Sequence, residues 1–224
     1  MHIEKTAAAQ IVALWNILAE RDDIGRVKFS DEQIRFNYPP HVTLAVVDTV
    51  DPDVLVETLK PLPAGWRPLP ISFDSLAVLP RKPVAPMLAR PTVTVEILQL
   101  HKDVFDALPP NSTSEYHRPR AWQPHVTLAR DIAPGKLGEA LTAVLERWSA
   151  FETTLDQVAL VYFQATGNNL ARARSLACSI VIGGAFVPAS RSVATRLFGL
   201  AAASPDHSGI KLLVAWGGSS RCWP

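Results

Sequence analysis

Cysteine is almost missing from this chain. The 224 residues include two, Cys178 and Cys222, both in the last quarter, so no disulfide framework or zinc ribbon is expected and thiol chemistry is not the expected centre. A dominant charge sign is missing too. Lys and Arg number 22 against 21 Asp and Glu, for a formal net charge of +1, which gives no broad basic field of the kind that grips duplex nucleic acid through many phosphates. An anionic substrate must then be met by local groups. No run reaches 18 apolar residues, so no transmembrane helix is expected. The opening MHIEKTAAAQ lacks the basic start, apolar core and small-residue cleavage site of a secretory leader. The expected location is cytoplasmic and reducing.

What remains is an ordinary globular composition, 48% hydrophobic and 19% charged, with length for one generous domain or two small lobes. Residues 5–21 place Ile11, Leu14, Trp15 and Leu18 on one helical stripe. HVTLAVV at 41–47 follows Pro39 and Pro40 and reads as a strand. Asp51 and Pro52 cap and open a helix reaching about Lys60. From Pro61 through Pro91 the chain has eight prolines, which break it into extended pieces, with ISFDSLAVL the best strand and TVTV the next. A helix follows over 95–108 on Val95, Leu98, Val104, Phe105 and Leu108, and another over about 135–149 on Leu137, Leu141, Val144, Leu145 and Trp148. A strand lies within TLDQVALVYF.

This order divides residues 1–174 into two comparable halves and predicts two similar lobes facing each other. Residues 175–224 differ in character. They carry four Lys or Arg and one Asp, contain the uncharged run SLACSIVIGGAFVPAS, and end in WGGSSRCWP. They read as an atypical extension of unknown role, a buried strand with a loose tail, against the alternative of a membrane-surface or partner segment; Gly183-Gly184, Pro188 and the short length favour the former.

The strongest feature is a repeat. PHVTLA occupies residues 40–45 and again 124–129, a coincidence expected by chance on the order of once in a thousand such chains. In a strand, residues i and i+2 share a face, so His41 and Thr43 point one way and Val42, Leu44 and Val46 the other; His125 and Thr127 stand likewise against Val126 and Leu128. Each copy offers an imidazole and a hydroxyl over an apolar underside. Two histidines suit displacement at phosphorus, one as base and one as acid near neutral pH. Two threonines can hold the non-bridging oxygens without repelling a base. No metal is needed. A lone strand histidine is more often structural, but a packing repeat would require only the Val-x-Leu face. A metal site on His41 and His125, with His117 as a third ligand, is the competing reading; the motif strands supply no Asp, Glu or Cys on that face and no zinc-like spacing.

The two copies, PPHVTLAVV and WQPHVTLAR, resemble the paired His-x-Thr/Ser motifs of the two-histidine phosphoesterase superfamily, within it the bacterial 2′-5′ RNA ligase-like group, and the placing of Trp122 and Arg130 is also similar. The resemblance covers about residues 5–165. It implies an α+β fold, bilobal with pseudo-two-fold symmetry, antiparallel sheets forming a central cleft and helices outside. It also implies metal-independent phosphodiester chemistry without a cofactor on RNA ends or small nucleotides. Opening of a 2′,3′-cyclic phosphate, or joining and cleaving of 2′-5′ linkages, are the activities implied. His41 and His125 would be acid and base, and Thr43 and Thr127 phosphate holders. The alternative is a nucleotide or RNA-end binding module with the same fold and little turnover. Recognition of a nucleotide end calls for an aromatic plane and a cation, for which Tyr116, Arg118 and Arg120 are the candidates. Trp122 is read as core. Regular alternation sets Arg130 with Val126 and Leu128, away from the histidine face, unless a bulge intervenes.

Overall fold

The computed structural model describes residues 3–24, 27, 29–31, 40–47, 50–79, 84–166, 169–179, 187–188 and 208–215. The terminal WGGSSRCWP and most of 180–207 lie outside them. Four helices and nine strands are described: α1 (Ile3–Glu20), β1 (His41–Val47), α2 (Pro52–Leu59), β2 (Leu69–Val78), β3 (Ala85–Pro91), α3 (Val95–Ala107), β4 (Val126–Ile132), α4 (Leu137–Leu145), β5 (Phe151–Leu155), β6 (Gln157–Thr166), β7 (Asn169–Ser179), β8 (Val187–Pro188) and β9 (Ser208–Ala215). The fold is mixed α+β with two sheets. One has the order β1-β9-β6-β7-β8, the other β4-β3-β2-β5, and every described strand pair is antiparallel.

Local chemistry accounts for most boundaries. The Asp51 carboxylate accepts from the amides of Asp53 and Val54 to cap α2, and Pro52 fills the first helical position, where its missing N–H costs nothing. TVTV is not a strand. Thr94 instead caps α3 by accepting from the Ile97 amide, and the strand before it is Ala85–Pro91. Pro86 lies where the β3–β4 register shifts, a position at which a missing ladder donor is tolerated in a central strand. The buried face of α3 is Ile97, Leu100, His101 and Val104, whereas Val95 and Leu98 are exposed. The buried set keeps helical spacing but includes a histidine, which an apolarity reading passes over. TLDQVALVYF proves to span two strands, β5 and β6, parted at Asp156.

The core takes the predicted stripe of α1, with Ile11, Leu14, Trp15 and Leu18 all buried, together with Phe73, Leu44, Leu128, Leu155 and Val158. Each such side chain contributes about 1.5–3 kcal/mol by leaving water. Phe73 and Phe151, directly paired across β2 and β5, stack with ring centroids 5.1 Å apart. Gln10 ties α1 to the turn before β5 through the Ser149 carbonyl at 2.6 Å.

Thr153 in β5 departs from this order. Its hydroxyl is buried and finds no hydrogen-bond partner among the described residues. Thr153→Val removes an unpaired hydroxyl at nearly constant volume and is expected to raise stability by about 1 kcal/mol. The check is a higher denaturant midpoint at unchanged slope.

Candidate functional site

Both PHVTLA copies begin an edge strand, one in each sheet. His41 is the first residue of β1, and His125 stands one residue before β4. Residues of β1 and β4 approach within 8 Å, Cα to Cα. His41, Thr43, His125 and Thr127 are half-buried, while Val42, Leu44, Val126 and Leu128 are buried. The first four residues of each strand segment thus alternate as period-2 geometry requires.

After the threonine, alternation fails in both copies at the same letter. Thr43 and Ala45 face Leu213 and Leu212, so Leu44 is an extra residue; Thr127 and Ala129 face Leu88 and Met87, so Leu128 is its counterpart. Each is a β-bulge, two residues opposed to one. Leu and Ala of each copy are therefore buried together, at 0% and 2% exposure in the first and 0% and 0% in the second. Beyond the bulge the faces exchange. Val46 is half-exposed rather than sharing the side of Val42 and Leu44, and Arg130 leaves the buried set for solvent, its guanidinium 4.7 Å from the centre of the Phe29 ring.

Side chains remote in sequence secure the backbone at these bulges. The Trp122 indole N–H donates to the Thr43 carbonyl at 2.9 Å, and the Trp15 indole N–H to the Thr127 carbonyl at 3.1 Å. The buried Ser30 hydroxyl donates to the next carbonyl, that of Leu128, at 2.8 Å. A carbonyl accepts only, so the 2.7 Å contact between His125 Nδ1 and the Gln123 carbonyl requires Nδ1 to carry a proton. In neutral His125 the lone pair is then on Nε2.

The candidate recognition residues stand on the loop between α3 and β4. Tyr116 lies in a 3-10 turn, Glu115–His117, that packs against β1, and its side chain is 58% exposed. Arg118 and Arg120 are exposed, and Arg120 holds φ at 74°, a left-handed conformation that costs a non-glycine residue about 1 kcal/mol or more. The loop is held from beneath. His101 stacks on Trp122 at 4.1 Å and 7°, and its Nε2 donates to the His117 carbonyl at 3.0 Å. His117 Nδ1 meets the Ser114 hydroxyl at 2.8 Å, and Thr113 bridges to Val47 of β1. Trp122 is core, as read, at 8% exposure. His117 is thus engaged with its own loop. Among the described residues no group of three or more His, Cys, Asp or Glu is arranged to hold a metal ion.

Burial pushes the His101 imidazole below its ordinary pKa, against the opposing pull of the His117 carbonyl. The unfolded chain therefore binds the proton more readily than the folded one, so stability is fully present above about pH 6.5 and falls as the pH drops below it. His101→Gln, which keeps an N–H donor without a titrating ring, is expected to flatten the dependence of Tm on pH between about 6.5 and 5.

Signals for this framework were thin in sequence. Adjacent Leu and Ala in both copies mark the bulges, but the Trp15, Trp122 and Ser30 contacts cross 112, 79 and 98 residues, and no local pattern announces them.

Two motif-bearing edge strands on antiparallel sheets accord with the comparison of the chain with known families. The family model described as the 2′-5′ RNA ligase superfamily matches residues 13–167, which include both motifs. The chain belongs to this superfamily, and with it to the two-histidine phosphoesterases. No curated protein matches its sequence. Membership implies a phosphoesterase-type role. No helix among the described residues is long and apolar enough to cross a membrane.

Proposed function

We propose that the protein is a metal-independent phosphodiesterase that opens 2′,3′-cyclic phosphate ends of RNA or small nucleotides, with joining or cleavage of 2′-5′ linkages as a related activity. The observation that carries this reading is the doubled motif. Two His-x-Thr segments start edge strands of different sheets, share a bulge at the same residue, and belong to strands that meet. Such an arrangement supports a cleft between two similar lobes in which the four side chains act on one phosphoryl group.

One imidazole takes a proton from water as its oxygen bonds to phosphorus, and the P–O bond to one ribose oxygen breaks. The other imidazole gives that oxygen its proton, leaving a phosphomonoester beside a free hydroxyl. His125 exchanges its proton through Nε2, since Nδ1 is committed to the Gln123 carbonyl. Thr43 and Thr127 donate to the non-bridging oxygens as charge builds on them. Tyr116 offers a stacking plane, and Arg118 and Arg120 charge for the neighbouring nucleotide.

The test is turnover of a panel of nucleoside 2′,3′-cyclic phosphates and 2′-5′ dinucleotides in EDTA. Product is expected without added divalent ion, with kcat/KM bell-shaped around neutral pH because one imidazole must be neutral and the other protonated. Strict dependence on a divalent ion overturns the scheme. Calorimetric binding of a nucleotide monophosphate with no product from the panel assigns the fold to RNA-end binding instead.

A further inference from the structure

Each motif threonine has its carbonyl held by a tryptophan that belongs to neither motif strand. Trp15 comes from α1 and holds the second copy; Trp122 comes from the loop leading into β4 and holds the first, 79 residues away. Both rings are buried, at 1% and 8% exposure. The two bonds meet equivalent atoms of the repeat, although the tryptophans occupy unrelated places in the chain.

The location of these bonds gives them a consequence. The carbonyl carbon is one bond from the threonine Cα, so anchoring the oxygen limits rotation about the bond that sets the threonine against the residue after it. That next residue is the extra residue of the bulge, Leu44 or Leu128, where the ladder is interrupted and local twist increases. A bulge re-aims side chains and leaves backbone groups without ladder partners. The indole N–H supplies a partner at that interruption. On the second strand the Ser30 hydroxyl takes the following carbonyl, so two successive peptide planes are pinned there.

We propose that Trp122 and Trp15 are crosswise positioning residues: the Trp122 N–H fixes the orientation of Thr43, the Trp15 N–H that of Thr127, and each acts on phosphoryl transfer only through its own threonine. The kinetic part of this inference rests on the phosphodiesterase reading; the positional part does not. Both indole N–H groups are taken by backbone carbonyls in the buried interior. Their removal changes where a hydroxyl stands when charge develops, and so affects kcat rather than KM.

The experiment replaces each tryptophan by phenylalanine. In parallel it uses benzothienylalanine, whose sulfur removes the N–H while keeping the bicyclic shape, so that a destabilised phenylalanine variant does not end the test. The first readout needs no substrate: the γ-methyl NMR signals of Thr43 and Thr127. Loss of the Trp122 N–H is expected to move the Thr43 signal and leave that of Thr127, and loss of the Trp15 N–H to do the reverse. Both signals moving alike in either variant, or neither moving, overturns the proposal. The second readout is a double-mutant cycle on kcat. The benzothienylalanine variants, which at position 122 keep the ring that His101 stacks on, are expected to lower kcat roughly 10- to 100-fold with KM within about twofold. The Trp122 effect is expected to vanish in a Thr43→Ala background and persist in Thr127→Ala, with Trp15 showing the opposite pairing. Additive losses in all backgrounds mean a general packing role and overturn the kinetic part. Absence of wild-type turnover, with crosswise methyl shifts intact, instead removes the phosphodiesterase reading and leaves the positional inference standing.

Discussion

Alanine at His41 or at His125 is expected to lower kcat for a nucleoside 2′,3′-cyclic phosphate by about 10²- to 10⁴-fold, the usual contribution of a positioned acid or base. The fold should survive either change. Both side chains are only half-buried, and the strand positions are held by Val42 and Leu44 or by Val126 and Leu128 beneath. In the proposed scheme the two roles form a unit, since a proton removed from water without one delivered to the leaving oxygen completes no reaction. The double variant should then be little worse than either single one. Each single variant should also lose one limb of the bell-shaped pH profile, because a single titrating imidazole remains in the site. Steady-state rates on purified, folded variants provide the check. Retention of wild-type turnover by either single variant would remove that histidine from the chemistry.

The second large effect concerns the bulges. Ala45→Asp and Ala129→Asp should each cost about 4 kcal/mol or more, since an unpaired carboxyl at these sites must remain charged in a dry place or be held neutral well above its ordinary pKa. Regular alternation predicts the opposite. Without an extra residue at Leu44 or Leu128, Ala45 and Ala129 would share the side of the histidine and threonine, and an aspartate there would reach water. The observed exposures of 2% and 0% decide for the bulge. In a domain of this size such a cost lowers Tm by roughly 10 °C. The sign with pH follows from a folded pKa raised above the unfolded value of about 3.9: the deficit is complete above the folded pKa and shrinks as the pH falls toward 4. Arg130→Asp serves as the control. It lies one residue beyond the second bulge in solvent, beside the Phe29 ring, and its denaturant midpoint is expected to fall by clearly less than that of either alanine variant because its charge stays in water.

Elements with local signals were legible residue by residue. The α1 stripe, β1 over His41–Val47, and the Asp51-Pro52 start of α2 stand where the sequence places them. Legibility failed where local signals compete. TVTV has strand composition, yet Thr94 meets the Ile97 amide as a helix cap, and a hydroxyl beside the first turn outweighs β propensity. On α3 the buried stripe passes through His101, whose ring is accommodated by stacking on Trp122 and bonding to the His117 carbonyl. Nothing near residue 101 in the chain foretells either partner.

The sequence by itself determined the family, and it singled out four candidate side chains, because an imidazole and a hydroxyl two residues apart share a strand face whatever surrounds them. It also carried, in the doubled Leu-Ala, a trace of the interruption that follows. Only the tertiary structure decided that the interruption is a bulge, since a bulge is a relation between two strands, and β1 meets β9 from across some 170 residues of chain. Likewise only the fold could bring Trp15 to Thr127 and Trp122 to Thr43, hydrogen bonds whose partners are neighbours in space and strangers in sequence.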